Sequence, residues 1–389
     1  MKIAILGLSI TSSWGNGHAT TYCALARALA ARGHDLVFFE RDAPWYAGNR
    51  DLPEPPYCRT YLYGSLAELE QRHAGEIRDA DLVIVGSYVP DGIAVGDLVH
   101  RCARGLTAFY DIDTPITLAQ LGGAGTDYLE PRQIPNYDLY LSFTGGPTLD
   151  RLQKKYGARL ARPLYCSVDP DLYSPDSEPA GIPGPLYDLG YLGTFSTDRQ
   201  PVLDRLMLDA ARRWPAGRFI VAGPQYPESV VWPPNVERIV HLAPAGHRRF
   251  YTGLRYTLNV TRKDMVRAGF SPSVRLFEAA ACGTPIVSDT WPGIECFFTP
   301  GREILLSRDT GETLAYLREI GEGERRDIGM RARDRVLHAH TAAHRAIELE
   351  GYLRECGRSI PGRFERPSKD GRAAFTSQDA APPLETRLS

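Results

Sequence analysis

The stretch Ser271-Pro272-Ser273-Val274-Arg275-Leu276-Phe277-Glu278-Ala279-Ala280-Ala281-Cys282-Gly283-Thr284-Pro285-Ile286-Val287-Ser288-Asp289 holds the densest set of residues able to do chemistry. Ser271 suits a helix cap and Pro272 the first helical position. Gly283 suits a left-handed stop, and Pro285 bars continuation. A helix start with free amides around Val274 and the hydroxyls of Ser271 and Ser273 is a ready anion site. Glu278 lies among Phe277 and small residues; a carboxylate there needs a partner, and ribose hydroxyls are good ones. An ordinary capped helix with a salt-bridged Glu accounts for the same residues. His18 sits at a loop-to-helix boundary, where Gly17 lets a backbone approach a ligand and the helix start attracts phosphate. It could hydrogen-bond a sugar, act as a base, or simply cap or pack. Asp111 and Asp113 follow the apolar run Leu106 to Tyr110, so they stand at a strand's carboxyl end. A carboxylate there could take the proton of a hydroxyl; an Asx turn before Pro115 is the alternative.

These residues need elements to hold them. Lys2 to Leu8, Asp35 to Phe39, Asp81 to Val85, Leu106 to Tyr110 and Tyr137 to Phe143 read as buried strands. His18 to Ala31 has helical spacing and Gly33 as its stop. Extended, Pro-bearing sequence from Ala161 to Pro175 reads as a crossover. A second series follows: strands Asp188 to Leu192, Arg218 to Ala222, Ile239 to His241, Tyr256 to Val260 and Pro285 to Ser288. Helices are expected at Gln200 to Trp214, Gly246 to Leu254, Ser273 to Cys282 and through Thr310 to Tyr352. Alternating strands and helices predict parallel α/β layering, with ligands outside the carboxyl ends of the strands.

Composition narrows the function. The 389 residues are 43% hydrophobic and carry a net charge of −2, enough for two domains and too neutral for a protein built mainly to bind DNA or anionic membrane. No apolar run approaches the roughly 18 residues of a membrane helix. The start, Met1 to Gly7, is too short and then too polar for a signal peptide. Seven scattered cysteines without a CxxC predict neither a disulfide framework nor a zinc site, and place the chain in a reducing cytosol. Forty arginines against five lysines reads as a GC-rich bacterial genome, not as function. His338, His340 and His344 mimic a metal tract, but their spacing scatters them around a helix and predicts a solvated face. Gly15-x-Gly17-x-x-Thr20 with Glu40 mimics a dinucleotide fingerprint, with glycines too far past the strand.

The stretch around Glu278 resembles the donor-binding signature of GT-B glycosyltransferases of the glycogen-synthase and mannosyltransferase type. There an acidic residue precedes a small-residue helix ending Ala-Cys-Gly-x-Pro. Ser167-Val168-Asp169-Pro170 with Tyr173-Ser174-Pro175 is similar to that group's crossover, and Tyr191-Leu192-Gly193 to the strand opening its second domain. More narrowly, the chain to about residue 310 resembles the spore-maturation (CgeB-like) glycosyltransferases. This likeness rests on Trp14-Gly15-Asn16-Gly17-His18-Ala19-Thr20, Asp111-Ile112-Asp113-Thr114-Pro115, Asn259-Val260-Thr261-Arg262 and Ser273-Val274-Arg275-Leu276-Phe277-Glu278.

The resemblance implies a GT-B α/β fold, two Rossmann-like parallel-sheet domains facing a cleft. Residues 1–165 form the acceptor side, 166–335 the nucleotide-sugar side and 336–356 a helix across both; 357–389 is expected to be a disordered tail. It implies Glu278 on the ribose. The first of the group's two acidic positions falls on Phe270, which cannot accept a hydroxyl, so Ser271 and Ser273 would replace it. The group's paired cations fall on Thr194 and Arg199, leaving Arg262 or Arg275 to supply the second charge against the diphosphate. Ordinary surface salt bridges are the alternative for all three arginines. Backbone groups from Ile239 to Leu242, with His241, would read the base. His18 with Asp111 or Asp113 would stand at the reaction centre. The implied protein is a cytoplasmic, metal-independent glycosyltransferase without a resident cofactor. It would take a nucleotide diphosphate sugar, a UDP-sugar for preference, and a hydroxyl-bearing acceptor, carbohydrate or other, with no nucleic acid as partner. A non-hydrolysing sugar-nucleotide epimerase and a non-catalytic sugar-nucleotide-binding module are the alternatives.

Overall fold

A computed structural model describes residues 1–14, 17–175 and 186–357. Gly15 and Asn16 of the first glycine-bearing loop, and the expected tail from residue 358 on, lie outside the described residues. Seven strands form the first sheet: β1 (Lys2–Gly7), β2 (Asp35–Arg41), β3 (Arg59–Tyr63), β4 (Leu82–Gly86), β5 (Leu106–Asp111), β6 (Leu139–Ser142) and β7 (Ala161–Pro163). Their order is β3-β2-β1-β4-β5-β6-β7, every pair parallel. The central strands are apolar runs buried on both faces, as in β4, whose five residues are all buried. That composition suits a sheet covered by helices on both sides.

The second sheet has six strands: β8 (Tyr187–Leu192), β9 (Phe219–Ala222), β10 (Val236–Ile239), β11 (Leu254–Asn259), β12 (Ile286–Ser288) and β13 (Leu305–Leu306). Its order is β10-β9-β8-β11-β12-β13, again all parallel. In both sheets the chain order reverses beside the first strand, between β1 and β4 and between β8 and β11. Crevices at such switch points, outside the strands' carboxyl ends, are where ligands bind.

Several expected elements shift. The strand expected at Ile239 to His241 is β10, so His241 lies in the loop beyond it. The helix expected over Gln200 to Trp214 is helical from Gln200 to Arg213 with a wider turn at Asp204–Leu208. A short helix, Lys263–Ala268, follows Arg262 directly where no element was expected. The expected helix over 336–356 is two elements, since Glu322–Ala339 runs through position 336 and Ala342–Glu355 starts afresh. His340 sits at the break and is buried rather than solvated, its Nδ1 accepting from Arg345 Nη2 at 2.8 Å.

The break has a use. Ala342 N donates to Val168 O at 2.9 Å, so the outgoing and returning crossovers between the sheets pair with each other. Helix Ala342–Glu355 then lies against helix His18–Ala31. Glu350, buried, accepts from Arg32 Nε and Nη2 at 2.7 and 2.6 Å and pairs with His34 Nε2 at 2.9 Å. Among the described residues, no helix is long and apolar enough to cross a membrane.

Candidate functional site

A cleft of about 390 Å³ opens between the carboxyl ends of the two sheets. Of the twelve candidate residues, eleven line it: Gly17, His18, Asp113, Arg199, His241, Arg262, Ser271, Ser273, Val274, Arg275 and Glu278. Asp111 does not.

On the C-terminal side, the helix starts at Val274 with Ser273, not Ser271, as the residue before it. Neither serine caps it. Ser273 Oγ donates to Asn259 Oδ1 at 2.7 Å, and Ser271 Oγ bonds Thr144 Oγ1 at 2.8 Å across the domain boundary. Leu276 N already donates to Ser273 O at 3.1 Å, so the amides of Val274 and Arg275 are the ones left to whatever enters the cleft. Asn259, at the end of β11, also accepts from Arg275 Nη1 at 3.0 Å and donates to Ser288 Oγ at 2.9 Å. Arg275 gives its Nε to Leu192 O at 2.6 Å and lies over the Tyr191 ring. Two of its nitrogens thus brace the site. Arg199 and Arg262 differ: each has a buried Nε with no hydrogen-bond partner among the described residues. Arg199 is anchored through Nη2 to Thr194 O at 2.7 Å. Gly193 and Gly223 form the floor, where a Cβ on Gly223 would meet Gly193 O at 2.1 Å. The Gly223 carbonyl is fixed by Arg238 Nη2 at 3.1 Å, and that guanidinium is sandwiched 4.2 Å from both the Tyr226 and Trp232 rings.

Glu278 is buried, accepts from Tyr251 OH at 3.1 Å and has His247 Nδ1 at 3.7 Å. Burial alone would raise its carboxyl. The His247 contact, with Tyr173 and Tyr251, more than offsets this and holds it below the usual range. His247 is likewise disfavoured as a cation by burial, yet Glu278 raises it.

Phe270 does not line the cleft. Its ring fills space that a Cβ on Gly146 or on Gly293 would enter, at 2.3 and 2.4 Å, one glycine from each domain. Its backbone is left-handed (φ 48°) and its carbonyl takes the Gly145 amide at 2.9 Å. Phe270 is a wedge at the domain boundary. The hydroxyls of Ser271 and Ser273, expected to substitute for a carboxylate at this position, are instead spent on Thr144 and Asn259.

On the N-terminal side, His18 opens helix His18–Ala31, its ring 5.4 Å from that of Tyr88. Burial pulls the imidazole below its ordinary range, Asp113 opposing and Arg262 assisting. At neutral pH the ring is uncharged. Asp113 precedes helix Thr114–Leu121 without capping it, so its carboxylate is not spent on an Asx turn. It accepts from Tyr88 OH at 2.9 Å and meets Arg262 Nη1 at 3.5 Å. Glu40 holds the loop after β1, accepting the amides of Ile10 and Thr11 at 2.7 and 3.0 Å, and so is not available to a ribose as a dinucleotide fingerprint would need.

Residues 199–351 match the family model described as "Glycosyl transferase-like". Sucrose-phosphate synthase from Thermosynechococcus elongatus is similar in structure, with a TM-score of 0.62 at 15% identity over 91% of this chain and 98% of that one. HepE from Anabaena, solved in complex with UDP-glucose, gives 0.66 at 15% identity over 91% and 100%. An alpha-glucosyltransferase solved with UDP-glucose and DNA containing an abasic site gives 0.68 at 13% identity over 91% and 99%. The chain has the GT-B glycosyltransferase fold. No curated protein matches it by sequence.

In or beside the GT-B cleft, four residues escape a reading of sequence. His247 belongs to no motif. Asn259 and Thr261 sit inside Asn259-Val260-Thr261-Arg262 with no sign that they brace the loop. Thr261 does so through Asp289, which takes its amide at 2.9 Å. Tyr88 is aimed by a left-handed backbone (φ 65°) that nothing local announces.

Asp111 is the candidate that the GT-B cleft leaves out. It is fully buried and accepts from Tyr140 OH at 2.6 Å and Thr117 Oγ1 at 2.8 Å. Burial outweighs these bonds and pushes its carboxyl up to about 6. The folded state therefore keeps the proton to higher pH than the unfolded chain. Asp111's contribution to stability is full below about pH 4 and is lost as pH rises through about 6. Between pH 4 and pH 7, the wild-type chain is expected to lose roughly 2 kcal/mol of unfolding free energy relative to Asp111→Asn. Urea denaturation across that range measures it; a pH-independent difference would mean that Asp111 ionises normally.

Proposed function

We propose that the protein transfers a sugar from a nucleoside diphosphate sugar, a UDP-sugar for preference, to a hydroxyl-bearing acceptor. The observation that carries the reading is the pair of arginines, Arg199 and Arg262, with buried unpartnered Nε atoms on one cleft with an uncapped helix start. Buried guanidinium donors without partners are costly. A diphosphate would supply the missing acceptors, and Glu278 on the same wall offers a carboxylate to ribose hydroxyls.

In the transfer, the bond from the anomeric carbon to the diphosphate oxygen breaks and its electron pair leaves with the nucleoside diphosphate. The acceptor oxygen bonds that carbon, and its proton passes to Asp113 or to the neutral His18. The charge gathering on the leaving group falls on Arg199, Arg262 and the amides around Val274, so the reading needs no metal. Among glycosyltransferases, the motifs at Asp111–Pro115, Asn259–Arg262 and Ser273–Glu278 support a place near the spore-maturation group.

A thermal-shift screen of UDP, GDP, TDP and ADP and their sugars tests the reading. At a concentration 100 times Kd, a ligand of the native state adds about 2.7 kcal/mol, a rise of a few degrees in Tm. UDP and a UDP-sugar are expected to give the largest rise. A flat response to every nucleotide would overturn the reading.

A further inference from the structure

We propose that Arg262 is a switch between the two domains. In the unliganded protein it occupies the Asp113 carboxylate. The diphosphate of an incoming donor then takes over the guanidinium and frees Asp113 for the acceptor hydroxyl. The inference rests on the donor-binding reading above.

Arg262 leaves β11 through an extended backbone and projects across the cleft from the C-terminal domain. Its Nη1 lies 3.5 Å from Asp113 Oδ2 of the N-terminal domain, and its Nε 3.9 Å from Asp198 Oδ2. Neither contact is a well-made hydrogen bond. Asp198 is already committed, accepting the Lys263 amide at 2.9 Å and the Ser196 hydroxyl. Asp113 Oδ2 is also taken by Tyr88 OH at 2.9 Å. The guanidinium is thus shared between two carboxylates that satisfy it poorly, with its Nε buried and unpartnered among the described residues.

A diphosphate offers several anionic oxygens that a planar guanidinium can meet in bidentate fashion, which neither aspartate does here. Donor binding therefore competes with the Asp113 contact and wins. Until it does, Asp113 Oδ2 faces an arginine rather than an acceptor. Donor binds first and acceptor second, and the group that receives the proton is exposed only when a leaving group is in place.

The test is a double-mutant cycle read by calorimetry, titrating UDP and GDP into the full-length wild type, Asp113→Asn, Arg262→Gln and the double variant, with melting curves to check folding. Removing the Asp113 charge frees Arg262, so Asp113→Asn is expected to bind the nucleotide roughly three- to tenfold tighter than wild type. Arg262→Gln is expected to bind roughly tenfold weaker. In the double variant the gain from Asp113→Asn should vanish. If Asp113→Asn leaves affinity unchanged or weakens it, or if its gain survives in the Arg262→Gln background, the switch is wrong while donor binding stands. If the wild type binds no nucleoside diphosphate, neither these two nor TDP and ADP, the donor reading falls and the switch falls with it.

Discussion

Glu278→Ala is expected to bind UDP on the order of 100-fold more weakly than the wild-type chain, because it removes up to two hydrogen bonds from ribose hydroxyls to a carboxylate. The prediction follows from how the carboxylate is held. Glu278 belongs to helix Val274–Ala281 and is buried between that helix and His247, Tyr251 and Tyr173, yet it lines the cleft. Its charge is kept by neighbours that already fix its rotamer, so an arriving ribose meets an ordered acceptor and little ordering cost remains. The same burial makes the change costly to the fold. Alanine leaves the His247 ring and the Tyr251 hydroxyl without their partner, at about 1–3 kcal/mol. Glu278→Gln keeps the shape and an acceptor, and should lose less of both.

The pair also carries a pH signature. Glu278 is depressed, so its contribution to stability is lost as pH falls below its unfolded value of 4.5; His247 is raised, so its contribution is lost as pH rises above its unfolded value of 6.5. Between those values both are present, and the stability gap between wild type and Glu278→Gln should be widest there. Calorimetry with UDP at pH 7 and urea melts from pH 4 to 8 measure the two effects. UDP affinity of Glu278→Ala within twofold of wild type would remove Glu278 from the nucleotide site.

Why some of this was legible in sequence, and some not, is a matter of range. Strands such as β1 and β4 are buried on both faces, and continuous apolar runs mark them whatever the tertiary context. The edge strand β3, Arg59–Tyr63, is buried only at Tyr63 and has no such mark. Displacement of β10 to Val236–Ile239 has the same origin, since it too lies at an edge and only Val236 of its four residues is buried. Site residues were readable where position alone decides, at strand ends and helix starts: Asp113, His18 and Arg262 all reach one cleft, and Glu278, a carboxylate inside a helix of small and apolar residues, joins them. Choosing between Asp111 and Asp113 needed more. The two are two residues apart at the same strand end, and the difference is made by Tyr140 and Thr117, which close over one, and by Tyr88 and Arg262, which meet the other. The substitution at Phe270 looked like a lost sugar contact. Only the glycines at 146 and 293, distant in sequence, reveal a wedge.

That distinction between neighbouring aspartates sets the second large effect. Asp113→Asn is expected to lower kcat by roughly 10²–10⁴-fold, and Asp111→Asn by less than about tenfold. A group that takes a proton from an acceptor must reach the cleft, and Asp113 does, with its side chain 16% exposed and His18 and Arg262 beside it. Asp111 is enclosed by hydroxyls and accepts the Asp113 amide at 3.3 Å, so it supports the backbone turn from below. His18 is the competing base. As a neutral imidazole held below its usual range, it could receive the proton instead, and then His18→Ala would carry the larger loss. Release of UDP from UDP-glucose, with water or a glucoside as acceptor, reads all three variants. Asp113→Asn at wild-type kcat would eliminate the carboxylate and leave the imidazole. A loss at Asp111 matching that at Asp113 would mean the pair acts as a structural unit and not through one proton-accepting oxygen.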